Sequence, residues 1–367
     1  MNPPKPKLCY VIPEYRRGAH THFAYLTDFV KEISKDFDIF LLIEKGEKPD
    51  SDFGCSRVYV PILKIPLVSF LEIKMRLIYA RFLGYKNFYV HYSFFSALVA
   101  SFLGKVFYWN CGEPWKYKRN FFREQFERLV YRRIAFLVTG TEGMKRKYAE
   151  HYGLPFQKIK AMPNWLKTSN FQFPISNFRK SELKKKLNIN SDQKIILFVH
   201  RLSKRKGAHY LPEIAKRLAD AKNFVLLIIG DGPERAGIES KIKNYELDDK
   251  FRFLGNIPNY ELPNYYAIAD VFVLPSDEEG FPHVLLEAMA FGVPFAAFDV
   301  GGVREIIPPE FQKFVVTGGD VAALAEQILL LLSNENEKKK LVQISRKWIE
   351  RYDISKVTAR FREIVSF

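Results

Sequence analysis

Apolar positions along this chain fall into short runs, each closed by Gly, Pro or Ser and followed by a longer stretch with helical spacing. The segment 269–274 (Ala-Asp-Val-Phe-Val-Leu), stopped by Pro275 and Ser276, predicts a strand buried on both faces, as in a parallel sheet. Similar runs over 8–13, 37–43, 56–60, 88–92, 105–109, 136–139, 195–199, 224–230 and 294–298 predict further strands. Helices are predicted over 23–34, where Phe23, Leu26, Val30 and Ile33 share one face, and over 69–83, 119–134, 180–187, 284–291, 321–333 and 353–365. Strand and helix alternate throughout, which predicts an α/β protein with doubly wound parallel sheets. A polar, Lys-rich stretch over 167–190 separates two such series.

Length fits that plan, because 367 residues can fill two domains with a large core. Charge adds an asymmetry. Of the net +16, residues 1–180 contribute +15 (30 Lys and Arg against 15 Asp and Glu) and residues 181–367 only +1 (27 against 26). A basic half can face anionic lipid, an anionic acceptor or nucleic acid. Within it the helices over 69–83 and 119–134 are basic and amphipathic, a pattern that suits contact with a membrane surface as well as ordinary core packing. Three cysteines, Cys9, Cys55 and Cys111, form no disulfide framework and no metal-ligand spacing. No signal peptide is visible, and the uncharged run over 88–104 suits a buried strand and a packed helix better than a membrane span.

The candidate chemistry centres on 277–290. An acidic loop with Gly280 leads into a helix, and Glu279 and Glu287 bracket the helix start. Orphan N–H groups and the dipole at a helix start attract phosphate, while a carboxylate only accepts hydrogen bonds and so suits a ligand offering hydroxyls. That combination fits a sugar nucleotide. Two other sets are tempting and weaker. His20 and His22 fit a solvated loop, and Asp50-Ser51-Asp52 has the form of a metal-binding Asp-x-Asp but no buried strands to present it, so no metal is expected.

The run PSDEEGFPHVLLEAMAFGVP, with Glu279-x7-Glu287 and the Gly301-Gly302-Val303-Arg304-Glu305 turn after it, resembles the retaining glycosyltransferases of family 4. The likeness is strong over 195–307 and loose before 180. It implies the GT-B architecture: two facing Rossmann-like domains with an interdomain cleft. The expected boundaries are 1–180 for an acceptor-binding domain, 187–350 for a donor-binding domain, and 351–367 for a helix crossing back to the first.

The resemblance also assigns roles. Arg201 and Lys206 match the positions that neutralise the donor diphosphate, through a forked guanidinium and a movable ammonium. Glu279 would contact sugar hydroxyls and Glu287 the ribose, with Phe281, Pro282, His283, Val284 and Leu285 around the phosphate and sugar. Gly18 stands in the matching Gly-rich loop, and Gly255, Asn256 and Ile257 match the segment whose backbone meets the nucleobase. His200 replaces the usual Gly, and Trp165 replaces the Gly of a Pro-Asn-Gly segment. Relatives place a histidine near Asn110-Cys111-Gly112-Glu113-Pro114; here it is absent, which leaves Glu113 as either a catalytic polar group or a turn residue.

The resemblance therefore implies a metal-independent, cofactor-free, retaining hexosyltransferase. It would use a nucleotide-diphosphate sugar, act on a glycan or lipid-linked acceptor in cell-envelope synthesis, and sit in the cytoplasm, peripheral on the inner face of the membrane. Glu279, Arg201, Lys206 and Glu113 are the expected catalytic set. The alternatives are a transfer-inactive GT-B scaffold or partner subunit at the membrane, kept open by the missing histidine, and a related epimerase or phosphorylase. Charge alone suggests nucleic-acid binding, but no nucleic-acid module accompanies it.

Overall fold

The computed structural model describes residues 4–16, 24–62, 66–116, 120–168, 176–219 and 223–366. The chain divides into two compact units, Met1–Asn164 with Ile354–Phe367, and Trp165–Asp353. The stretch from Trp165 to Lys180 thus groups with the second unit. In the first, the described elements are β1 (Lys7–Ile12), α1 (Ala24–Ile33), β2 (Asp38–Ile43), β3 (Arg57–Tyr59), α2 (Pro66–Phe82), β4 (Asn87–His91), α3 (Phe94–Ala100), β5 (Lys105–Trp109), α4 (Phe121–Arg133), β6 (Phe136–Thr139), α5 (Glu142–Tyr152) and β7 (Ile159–Ala161). The sheet runs β3-β2-β1-β4-β5-β6-β7, every pair parallel.

The second unit contains α6 (Asn177–Lys186), β8 (Lys194–Val199), α7 (Leu211–Leu218), β9 (Phe224–Ile229), α8 (Arg235–Asn244), β10 (Phe251–Phe253), α9 (Leu262–Tyr266), β11 (Val271–Leu274), α10 (His283–Ala290), β12 (Phe295–Asp299), α11 (Val303–Ile306), β13 (Val315–Thr317), α12 (Val321–Ser333) and α13 (Glu335–Ile349). Its parallel sheet runs β10-β9-β8-β11-β12-β13. Both sheets reverse strand order once, as in a Rossmann-like doubly wound fold, at β1/β4 in the first and β8/β11 in the second. Ligands of such sheets bind beyond the carboxyl ends of the strands at that reversal.

The central strands are buried along most of their length, which explains their near-continuous apolar sequences. In the first unit α2, α3, α4 and α5 close one sheet face around Phe40, Leu77, Tyr108, Tyr131 and Tyr148. The opposite face receives α14 (Ile354–Val365), whose buried Phe361 meets the rings of Tyr10, Phe29, Phe37 and Tyr89 at centroid distances of 6.4, 5.3, 5.8 and 4.9 Å. Burial of one such aromatic is worth about 1.5–3 kcal/mol before cavity effects.

Helix α13 is an element the periodicity did not mark, because its buried positions are few. They include Leu341, Ser345 and Ile349, with Lys338 also covered. Its start carries a legible signal all the same: the Asn334 side chain accepts the Glu337 N–H at 2.9 Å. Lys338 is buried because it turns to Asp270 (3.5 Å) and Glu335 (2.6 Å). Asp50-Ser51-Asp52 lies in the loop between β2 and β3, where Asp52 accepts the N–H of Gly54 at 2.8 Å. No helix among the described residues is long and apolar enough to cross a membrane.

Candidate functional site

Strand β8 ends at Val199, and His200, Arg201 and the turn Ser203–Gly207 follow it. Strand β11 ends at Leu274, and the loop Pro275–Pro282 leads into α10. Because β8 and β11 are neighbours at the strand-order reversal, these two segments meet. Backbone bonds hold them together: the N–H groups of Asp277 and Glu278 donate to the Arg205 carbonyl at 3.0 and 3.3 Å. Two glycines let the main chains approach. Gly207 (φ +66°) lies so close to Pro275 that a β-carbon would sit 1.6 Å from its carbonyl oxygen. Gly301 (φ +56°) does the same to Glu279, at 1.5 Å.

This packing brings Lys206 and Glu279 into contact, with Nζ 2.7 Å from Oε1 and both side chains buried. The same oxygen accepts the Ser276 hydroxyl at 2.9 Å. His200 Nε2 lies 3.4 Å from it. His200 Nδ1 accepts the Arg201 N–H at 3.0 Å, so the ring proton belongs on Nε2 and points at Glu279. Burial alone would push the Glu279 carboxyl up. The Lys206 ammonium and the bonds from His200 and Lys206 outweigh that and hold it well below the usual carboxylate range. Burial lowers Lys206 despite Glu279, and lowers His200, with the Lys206 charge adding to the effect on the imidazole.

Arg201 is exposed beside this cluster, and its guanidinium makes no hydrogen bond or ion pair among the described residues. Two cations of the segment that follows β8, Lys206 and Arg201, therefore differ: the first is sequestered by a carboxylate and the second is open to solvent. Pro282 occupies the N-cap of α10 and supplies no side-chain oxygen to the first-turn amides. Phe281 is buried edge-on against Tyr352 (5.7 Å), and His283 lies edge-on to Trp165 (6.3 Å). Val284 is half-buried and Leu285 fully buried. One turn on, Glu287 is buried and accepts the Tyr266 hydroxyl at 2.7 Å. Gly255 is placed near the end of β8, because its carbonyl accepts the Gly230 N–H at 2.7 Å and Gly230 abuts the His200 carbonyl. Asn256 is exposed and Ile257 half-buried.

Glu113 belongs to the first unit. It is buried and ion-paired to Lys147 (2.8 Å) and Lys116 (2.7 Å), and these two lysines offset its burial and hold its carboxyl below the usual range. At the positions where the expected histidine is missing, Asn110 accepts the Gly112 N–H (3.1 Å) and donates to the Tyr131 hydroxyl (3.3 Å). Gly18, His20 and His22 lie outside the described residues. Sequence reasoning did not identify His200, Ser276 and Tyr266 as partners of the two glutamates. The spacing of Ser276 three residues before Glu279 was the only hint.

Residues 179–348 match the family model of glycosyl transferases group 1, so the second unit carries a glycosyl transferases group 1 domain. Among curated relatives, the 2-deoxystreptamine glucosyltransferase of Streptomyces kanamyceticus is 29% identical over 61% of this chain and 58% of its own length. The N-acetyl-alpha-D-glucosaminyl L-malate synthase of Bacillus anthracis is 30% identical over 50% and 48%. The chain thus spans about half to three fifths of the length of these relatives. Among solved structures, Anabaena Alr3699/HepE in complex with UDP and glucose superposes with a TM-score of 0.80 at 18% identity, covering 98% of this chain and 99% of that one. The fold is that of the GT-B glycosyltransferases.

Proposed function

We propose that the protein is a metal-independent retaining glycosyltransferase that moves a hexose-type sugar from a nucleotide-diphosphate donor to a glycan or lipid-linked acceptor. The observation that carries this reading is the strand-end cluster of Arg201, Lys206 and Glu279 at the β8/β11 reversal, within a glycosyl transferases group 1 domain. HepE, with UDP-glucose bound in one structure, supports a sugar-nucleotide donor.

In this reading the Arg201 guanidinium and Lys206 ammonium take up the diphosphate charge as it grows in the transition state. The α10 amides lie against phosphate and sugar, Glu279 accepts from sugar hydroxyls and Glu287 from the ribose. Gly255, Asn256 and Ile257 meet the base through their backbone. The acceptor hydroxyl attacks the anomeric carbon on the face from which the diphosphate leaves. The carbon–phosphate-oxygen bond breaks, the new glycosidic bond forms, and the acceptor proton passes to the departing phosphate. A cell-envelope acceptor and a place on the inner face of a membrane belong to the same reading. Glu113, tied to two lysines, fits a positioning role better than a reacting one.

The test is thermal unfolding with nucleoside diphosphates and their sugars, with and without a divalent-metal chelator. Stabilisation by one nucleotide that survives chelation and disappears in Arg201→Ala is expected, with Glu279→Ala folded but slow in transfer. Absence of any nucleotide effect overturns the reading. Binding with no transfer to any acceptor would favour the scaffold reading, to which the Asn110–Gly112 arrangement, lacking an imidazole, gives its one specific support.

A further inference from the structure

Helix α2 is apolar on two opposite sides. Ile73, Leu77 and Ala80 face the core and are buried, as a surface helix requires. The other side is expected to be polar and is not. Leu67, Leu71, Met75, Ile78 and Phe82 recur at i, i+4, i+8, i+11 and i+15, within about 80° of the helix circumference at 3.6 residues per turn. They are 70%, 52%, 61%, 39% and 85% exposed. Scattered exposed apolar residues need no explanation, but a continuous stripe along a whole helix marks an interaction surface.

Charge decides what covers it. Lys74 and Arg81 flank the stripe, are exposed, and have no anionic partner among the described residues. The acid of this helix, Glu72, is turned away, paired with Arg76 and accepting the Ile62 N–H. The stripe is thus apolar at its centre and purely cationic at its edge. A second copy docked by a two-fold axis would set these cations near their own counterparts. An anionic bilayer accepts both features: acyl chains take the apolar centre and headgroups take Lys74 and Arg81. With about 25 Å of length and no spanning hydrophobicity, α2 is suited to lie in the interface. In the same helix layer Phe121 and Phe122, on the first turn of α4, are also exposed.

We propose that the solvent face of α2 docks the protein onto an anionic lipid bilayer. The proposal rests on the transferase reading only for its purpose, delivery to a lipid-linked acceptor; the surface stands on its own residues. The experiment is co-sedimentation of the full chain with vesicles of phosphatidylcholine alone or with added phosphatidylglycerol. Binding to the anionic vesicles is expected, weakened at least roughly tenfold by the triple change Leu71→Ser, Met75→Ser, Phe82→Ser. Lys74→Gln with Arg81→Gln should also weaken it roughly tenfold, on anionic vesicles only. Each variant is first shown to melt like the parent and to keep its nucleotide response. No binding by the parent protein, or parent-like binding by the triple variant, overturns the proposal. So does a concentration-dependent dimer that the triple change dissolves, which would place a second copy on the stripe. Nucleotide stabilisation without vesicle binding sinks the surface and leaves the transferase reading standing. Vesicle binding without nucleotide stabilisation does the reverse.

Discussion

Lys206 Nζ lies 2.7 Å from Glu279 Oε1, and their side chains are only 8% and 5% exposed. Two of the groups proposed to act on a sugar nucleotide are therefore each other's counter-ion, set 73 residues apart in the chain. Removing one partner of a buried pair leaves an uncompensated charge and costs about 3–5 kcal/mol, whereas replacing both with apolar residues of similar volume is often close to neutral. Lys206→Met and Glu279→Leu should each lower stability by roughly that amount, and the double variant by much less than the sum. Urea denaturation of the four proteins gives the coupling directly. Additive losses would mean that the two charges do not depend on each other.

A second prediction concerns pH. The His200 imidazole is lowered by burial first and by the Lys206 charge next, while Glu279 pulls it upward, with Arg205 adding a smaller cationic effect. An unfolded histidine titrates near about 6.5. Below that value the unfolded chain takes up a proton that the folded chain still refuses, so stability falls as pH drops from about 6.5 to the lower folded value. Above about 6.5 the group contributes no slope. His209 is also lowered by burial, so the comparison must be between proteins. Denaturation midpoints of the parent and His200→Asn, taken from about pH 8 to about pH 5, should diverge only on the acid side. Parallel curves would show that His200 carries a proton equally well in both states.

The strands and the donor-type motif were legible because each is local. Six consecutive positions Lys194–Val199 are apolar but for the first, and Glu279 and Glu287 share one strand–loop–helix unit. What joined them was not legible. Lys206 is a surface residue by type, and its burial depends on β8 and β11 being adjacent, which strand order decides and periodicity does not. His200 stands where the resemblance leads one to expect glycine, so the resemblance offered no role for it; its contact with Glu279 appears only when the strand ends meet. Helix α13 was missed for the opposite reason. Its signal, Asn334 capping Glu337, is local, but its apolar stripe is narrow and Lys338 points inward to Asp270.

Gly301 gives a third prediction. At φ +56° with Glu279 O only 1.5 Å from a built β-carbon, alanine is excluded both by backbone conformation and by space. The obstacle is main chain, so no side chain can swing away, and the acidic loop must shift. Gly301→Ala should cost more than about 1 kcal/mol and weaken nucleotide binding as well. Gly153→Ala, also left-handed but with open space around its β-carbon, is the control and should cost only the conformational part. Equal effects in the two variants would refute the close-approach argument.

The last prediction separates holding from contacting. Glu287 is buried on α10, and one of its oxygens accepts the Tyr266 hydroxyl at 2.7 Å. Tyr266 is itself fixed by stacking on Phe291, with ring centroids 5.1 Å apart. If Glu287 accepts from ribose hydroxyls, Tyr266 sets the rotation of its carboxylate without touching the donor. Tyr266→Phe keeps the ring and its stacking and removes the hydroxyl that makes that bond, so the carboxylate loses the group that sets its rotation. Donor KM should rise about tenfold or more with kcat little changed, since the ribose is bound alike in the ground and transition states. Glu287→Gln should raise KM further, and adding Tyr266→Phe to it should do little more, because the two changes interrupt one interaction. A fall in kcat at unchanged KM would place the Tyr266–Glu287 pair in the chemical step and remove Glu287 from the ribose.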